Sequence, residues 1–254
     1  MSQRLLAAMT LMMLGGAWVQ AAPLIIDNFQ TNHPILFAGP GGGNPISSNS
    51  GVPGGAPGDI LGDARNLKVT RTTGSSLGTA YVSGGELTVG MITDLGYSRI
   101  IWDGDLNSSL NYALAVDLTG GGLRDRFHVR ARSDLSGSVH LTVFTSATSY
   151  SSVTFSLPAL GIAAPYSDYN LLFTSLTMGA PALVAADLGL GAATAMADLT
   201  NITAITLFVD GTAIAGLDAQ FQIVEVASGV PEPATLGLVG GVLLGVSLLR
   251  RRVK

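Results

Sequence analysis

The sequence predicts an all-β sandwich with jelly-roll connectivity, set between two apolar terminal segments. Short runs of β-branched and aromatic residues recur between Gly, Pro, Asn and Asp clusters at the spacing of antiparallel strands. Helical periodicity is weak throughout. Removing the two ends from 254 residues leaves about 205, the size of one sandwich rather than of two domains.

Taken in chain order, residues 1–21 form a signal peptide. A basic start at Arg4 precedes an apolar run over 5–18 and a small-residue exit at Val19, Gln20 and Ala21, so cleavage falls between Ala21 and Ala22. The exported domain spans 22–229. Its first strand is expected over 24–29. Residues 39–62 are almost all Gly, Pro, Ser and Asn, with too few apolar groups to fix a backbone, which predicts a long surface loop or local disorder. This stretch is no phosphate cradle, because it lacks the flanking strand, helix and Lys that such a loop needs.

Further strands are expected over 66–71, 79–82, 86–92, 98–102, 112–118, 124–132, 139–145, 151–157, 169–173, 202–210 and 219–226. Only 182–199 is rich enough in Ala and Leu for a short helix, and glycines interrupt it. Alternation places Thr203, Ile205, Leu207 and Val209 on a core face. In the last strand it puts Phe221 and Ile223 on one side, with Glu225 in phase, and Gln220, Gln222, Val224 and Val226 on the other.

The C-terminal segment, 230–254, opens with Val230, Pro231, Glu232 and Pro233. An uncharged helix is expected over 234–249, before a basic tail of Arg250, Arg251, Arg252 and Lys254. Such a helix rises roughly 24 Å, enough to span a bilayer that thins locally. Its cations stay in the cytoplasm, which places the domain on the exported side. The prolines hold the tripeptide stiff and extended, the form a protease cleft accepts.

In the tripeptide Pro231, Glu232, Pro233, the glycine-bearing apolar run (Gly237, Gly240, Gly241, Gly245) and the terminal Arg cluster, the chain resembles the PEP-CTERM family. The resemblance implies processing by an exosortase, a membrane transpeptidase, in a Gram-negative bacterium that makes exopolysaccharide. It makes this protein the substrate, with an inner-membrane-anchored precursor that ends at the cell surface or is secreted. The strands around Ile25 to Phe29 and Phe221 to Val226 also resemble the edge strands of carbohydrate-binding-module-like jelly rolls. Domains of that kind bind sugars on aromatic platforms or hold a structural calcium ion.

Composition narrows the function classes. Between Ala22 and Val230 eight cations face sixteen acids, a net charge of −8 that argues against a nucleic-acid partner. With no cysteine there is neither thiol catalysis nor disulfide stapling. His33, His128 and His140 lie far apart, and no Gly-x-Ser-x-Gly elbow occurs.

Candidate sites remain on the strands and turns. Arg124, Arg126, His128, Arg130 and Arg132 occupy alternate positions, so one strand face is a basic ladder. Arg124, Arg126, Arg130 and Arg132 would grip the carboxylates of an anionic glycan bidentately; the competing reading pairs them with acids such as Asp117 and Asp134. The oxygen-rich candidates for a structural calcium ion are Asp103, Asp105 and Asn107, or Asp27, Asn28, Asp210 and Glu225. Trp102 with Tyr97 or Tyr112 would make a sugar-stacking platform. These features point to a non-enzymatic surface protein associated with exopolysaccharide or biofilm matrix. The alternative is a secreted glycan-active hydrolase or lyase working through a carboxylate pair.

Overall fold

The computed structural model describes residues 21–39, 45–91 and 93–229. Residues 1–20 of the expected signal peptide and the whole 230–254 segment, with its expected anchor helix, lie outside the described residues, and no helix among those described is long and apolar enough to cross a membrane.

Among the described residues, fourteen strands and one short α-helix make a two-layer sandwich. They run β1 (Leu24–Asp27), β2 (His33–Ala38), β3 (Ile46–Pro53), β4 (Ala64–Thr73), β5 (Gly78–Ser83), β6 (Glu86–Met91) and β7 (Leu95–Trp102), then β8 (Arg126–Ser133), β9 (Gly137–Ser146), β10 (Ser149–Leu157), β11 (Ser167–Leu172) and β12 (Thr177–Met178). Helix α1 (Ala182–Leu188), β13 (Ala204–Gly211) and β14 (Asp218–Ala227) follow. The first sheet has the order β11-β8-β14-β6-β5-β2, with β1 also on β14; the second has β12-β10-β9-β13-β7-β4-β3. Every pairing between strands is antiparallel. The chain alternates between layers, so neighbours in a sheet are often far apart in sequence.

One core fills the space between the layers. Phe127, Val129, Ala131, Phe221 and Val224 face it from the first sheet, and Leu67, Ile100, Leu141, Ile205 and Leu207 face it from the second. Fully burying one such large apolar side chain contributes about 1.5–3 kcal/mol, which is what holds a cysteine-free sandwich together. One polar node crosses this core. Arg65 on β4 and Asp27 on β1 have side chains 0% exposed, with Arg65 Nη1 donating to both Asp27 oxygens at 2.9 and 2.8 Å. Trp102 Nε1 donates to Asp27 at 2.9 Å, and Phe29 N donates to it at 2.8 Å. That node ties β1 of one layer to β4 and β7 of the other.

Several sequence expectations are corrected. The first strand stops at Asp27, because the Asp27 carboxylate accepts the Phe29 amide and Phe29 takes a left-handed φ of 55°. Residues 46–53, expected to be loop, form β3. As an edge strand it needs only one neighbour, and its whole length pairs with β4, from Ile46 opposite Arg71 to Pro53 opposite Ala64. Gly51 is required there, since a Cβ would strike the Leu106 carbonyl of the overlying loop. Strand β2 was hidden by Pro34, which sits where the pairing register shifts on that edge.

The expected strand over 112–118 does not form a ladder; Val116 makes a single bridge to Ile202. The helix ends at Leu188, where Gly189 takes φ 66° and caps it. In β14 a bulge between Phe221 and Ile223 resets the alternation. Phe221, Val224 and Val226 therefore share the core, and Ile223 and Glu225 turn outward. In β13, Ile205, Leu207 and Val209 reach the core as expected, but Ala204, Thr206 and Phe208 are buried too, beneath α1 and its loops.

Candidate functional site

Strand β8 places its odd-numbered residues Phe127, Val129 and Ala131 in the core and its even ones, Arg126, His128, Arg130 and Arg132, on the outer face of the first sheet. It lies between β11 and β14, and the register decides what each cation meets. His128 stands opposite Asn170 and Glu225, Arg130 opposite Asp168 and Ile223, and Arg132 opposite Gln220. The His128 ring contacts Glu225 at 2.8 Å through Nδ1 and Asp168 at 2.9 Å through Nε2. Arg132 donates from Nε to Gln220 at 2.6 Å and from Nη1 to the Ala164 carbonyl at 3.0 Å, with Glu86 at 3.6 Å. Arg126 pairs with its neighbour Asp125 at 2.8 Å.

The ring of Tyr166 completes the cluster. The Arg132 guanidinium lies 4.3 Å from its centroid and that of Arg130 5.8 Å, while its hydroxyl donates to Glu86. Burial, and then the Glu86 carboxylate, raise the Tyr166 phenol above its ordinary value, so it stays a donor. Arg130 is exposed, and among the described residues its side chain makes no ion pair or hydrogen bond; its guanidinium lies beside the Tyr166 ring. Its planar fork is free to meet a carboxylate or a pair of hydroxyls.

The face continues across the sheet. Gln220 on β14 stands opposite Thr88 on β6, which stands opposite Tyr81 on β5. Three steps of about 4.8 Å separate Arg132 from Tyr81, roughly 14 Å. Beyond Tyr81, Ile35 and Phe37 on β2 are 46% and 50% exposed. The result is a row of hydrogen-bonding side chains running across the strands, with an aromatic ring near each end. Such a row suits a linear polyhydroxylated chain, whose apolar ring faces stack on the aromatics.

The structure brings Arg126, Arg130 and Arg132 together but sets Arg124 apart. Arg124 precedes β8 and donates to the carbonyls of Ala22 at 3.1 Å and Asp117 at 3.4 Å. The acids anticipated as partners are occupied elsewhere. Asp117 caps its own turn through Thr119, Gly120 and Gly121, and Asp134 accepts from Leu135 and Asp218. The partners of His128 and Arg132 come from β6, β11, β14 and the segment before β11, and Arg126 pairs with its neighbour Asp125. Glu86, Tyr166, Asp168 and Glu225 were absent from the expected face because only cross-strand register assembles them. Outward phase on alternating strands, as at Tyr81 and Thr88, was the one signal that could have found part of the row.

The proposed calcium groups are not assembled as cages. Asp27 is committed to Arg65, Trp102 and Phe29, Asn28 to Asp59, Asp210 to Thr212 and His140, and Glu225 to His128. Asp103 and Asp105 accept N–H donors of their own turn, including both side-chain amides of Asn107 and Asn111. Among the described residues no cluster of three or more His, Asp or Glu is placed to hold a metal. Trp102 is fully buried, so it offers no stacking surface; Tyr97 packs on Phe208 and Tyr112 against Phe144.

One further line of polar groups crosses the second sheet. His140 Nδ1 lies 2.9 Å from Thr154 Oγ1, and its Nε2 lies 3.5 Å from Asp210. Although hydroxyl, imidazole and carboxylate are in sequence, the neighbouring backbone amides belong to the β9, β10 and β13 ladders. They offer no oxyanion site, which acyl transfer needs. Burial raises the Asp210 carboxyl, but donation from His140 and Thr212 outweighs it and holds the group at about 2.

The fold and face define a two-layer β-sandwich carrying a mixed-charge, partly aromatic row on one open sheet. At the other end of the sequence, residues 229–252 match the family model of the PEP-CTERM protein-sorting motif. Among solved structures the chain is similar to carbohydrate-binding modules with jelly-roll folds. A family 11 module of a cellulosomal cellulase of Clostridium thermocellum is 10% identical, with a TM-score of 0.39 over 84% of this chain and 98% of that one. The same family in complex with a β-1,3-1,4-mixed-linked tetrasaccharide is 12% identical, with a TM-score of 0.39 over 82% and 98%. A family 30 module of another cellulosomal cellulase of Clostridium thermocellum is 10% identical, with a TM-score of 0.40 over 83% and 100%. No curated protein sequence matches the chain.

Proposed function

We propose that this protein is an exported envelope protein, sorted by an exosortase, whose sandwich associates with extracellular polysaccharide and carries out no catalysis of its own. The match of residues 229–252 to the sorting motif carries the reading. On it, Pro231, Glu232 and Pro233 are recognised outside the inner membrane, residues 234–249 anchor the precursor there, and Arg250, Arg251, Arg252 and Lys254 act as the cytoplasmic stop. Replacing Pro231 and Pro233 with Ala should leave an uncleaved precursor in the membrane, seen by intact mass measurement of both ends of the protein. Normal maturation of that variant would overturn the sorting claim.

The glycan association rests on the outer face of the first sheet, where the free fork of Arg130, the Tyr166 ring and the row from Arg132 to Tyr81 lie together. Full-length protein in mild detergent should be retained by acidic polysaccharide, and the Arg130→Ala, Tyr166→Ala double variant should lose at least tenfold in affinity, about 1.4 kcal/mol. A second reading is favoured by Asp168, His128 and Glu225, two carboxylates joined through one imidazole on that same face. It makes the protein a glycan-active hydrolase or lyase, and release of reducing or unsaturated ends from the same polysaccharides would establish it instead.

A further inference from the structure

The outer face of the second sheet is roofed by the loop around Leu110 and by the turn that follows α1, and between them lies a cavity of about 340 Å³. That volume is at the small end of the range for small-molecule sites, about 300–1,000 Å³. Its charged wall is fixed. Arg99 on β7 has a side chain 3% exposed and Lys68 on β4 one 17% exposed, and both hold Asp187 of α1 at 2.5 Å. The Tyr97 hydroxyl donates to the same carboxylate. Arg99 also donates from Nη2 to the Ser108 carbonyl at 2.7 Å, and its buried Nε has no partner among the described residues. Burial pushes the Asp187 carboxyl up, and Arg99, Lys68 and Tyr97 more than reverse this, so it remains ionised.

Two fixed cations and one fixed carboxylate leave a single positive charge in a confined space. The remaining polar wall comes from Asn49, Ser108, Ser109 and Tyr112, whose side chains make no hydrogen bonds to other described residues. We propose that this cavity binds one monoanionic, hydroxyl-rich sugar unit, a uronate, with its carboxylate toward Lys68 and Arg99 and its hydroxyls on the Asn, Ser and Tyr groups. A monoanion neutralises the site, whereas a phosphate dianion would leave an excess negative charge beside Asp187. The volume accepts a unit rather than a chain, so the site is suited to a chain end or a free sugar acid. It lies on the opposite sheet from the polysaccharide face and does not depend on it; with both engaged, one molecule would bridge two glycans.

Calorimetry on the full chain in mild detergent tests this with D-glucuronate, D-glucose and inorganic phosphate as probes. Saturable binding of one glucuronate is expected, at least tenfold tighter than glucose or phosphate. Lys68→Gln should weaken it about tenfold while shifting the thermal midpoint little, because Arg99 still holds Asp187. Arg130→Ala and Tyr166→Ala, on the other sheet, should leave it unchanged. Glucose or phosphate binding as tightly as glucuronate, no saturable heat at millimolar glucuronate, or indifference to Lys68→Gln would each overturn the proposal. Loss of binding in the first-sheet variants with Lys68→Gln unaffected would also overturn it, by moving the sugar acid to the polysaccharide face.

Discussion

The two outer faces of the sandwich are made by the same kind of alternating strand and carry arginines, yet they live in opposite surroundings. On the first sheet the outer side chains of β8 stay part-exposed, with the segment around Tyr166 beside Arg130 and Arg132, so Arg126, His128, Arg130 and Arg132 meet their partners in or near water. On the second sheet α1 and the loops around Leu110 and Leu190 bury Tyr97, Phe144, Tyr150 and Phe208, and close over Lys68 and Arg99. The lesson is that a charge pattern along a strand has no fixed energetic meaning. Cover decides whether a cation is a solvated, adaptable contact or a rigid part of a built site.

The comparison can be broken first at its fully buried extreme. Arg65→Met leaves the buried Asp27 carboxyl without its ion partner between the layers, and should cost about 3–5 kcal/mol in chemical denaturation; a loss below about 1 kcal/mol would mean that the node does not join the sheets. Next comes Asp187→Asn on the covered face, which strands two cations under α1 and should cost about 1.5–3 kcal/mol. Asp210 adds a pH signature. Its carboxyl is held at about 2, below the unfolded value near 3.9, so its stabilisation is complete above about pH 4 and is lost as pH falls toward 2. Thermal midpoints measured across that window should fall less steeply for Asp210→Asn than for the parent protein. The smallest effect is expected on the open face. Arg126→Ala removes a surface pair with Asp125 and should change stability by less than about 1 kcal/mol, and less still at high salt.

The same contrast explains what could be read in advance. Turn residues at regular intervals announced most of the strands, because local backbone preference and alternation are written along the chain. Strand β3 escaped because its Ser, Asn, Gly and Pro residues carry no apolar signal, and it is the pairing along β4 that makes it a strand. The phase of β14 escaped because one extra residue in a bulge exchanges the two faces of a strand. At the candidate face the ladder Arg126, His128, Arg130 and Arg132 was legible as alternate positions. Its partners Glu86, Asp168 and Glu225 were not, being distant in sequence and adjacent only in register.

By itself, then, the sequence determined the all-β class, most strand positions, the absence of thiol chemistry and the sorting motif at the C-terminus, because each is encoded in contiguous residues. Tertiary structure alone decided that Trp102 is core rather than platform, that Asp27 belongs to Arg65, and that Lys68, Arg99 and Asp187 enclose a cavity. Those outcomes depend on which strands become neighbours and which faces are roofed. Burial and pairing between distant segments fix both, and no local pattern records them.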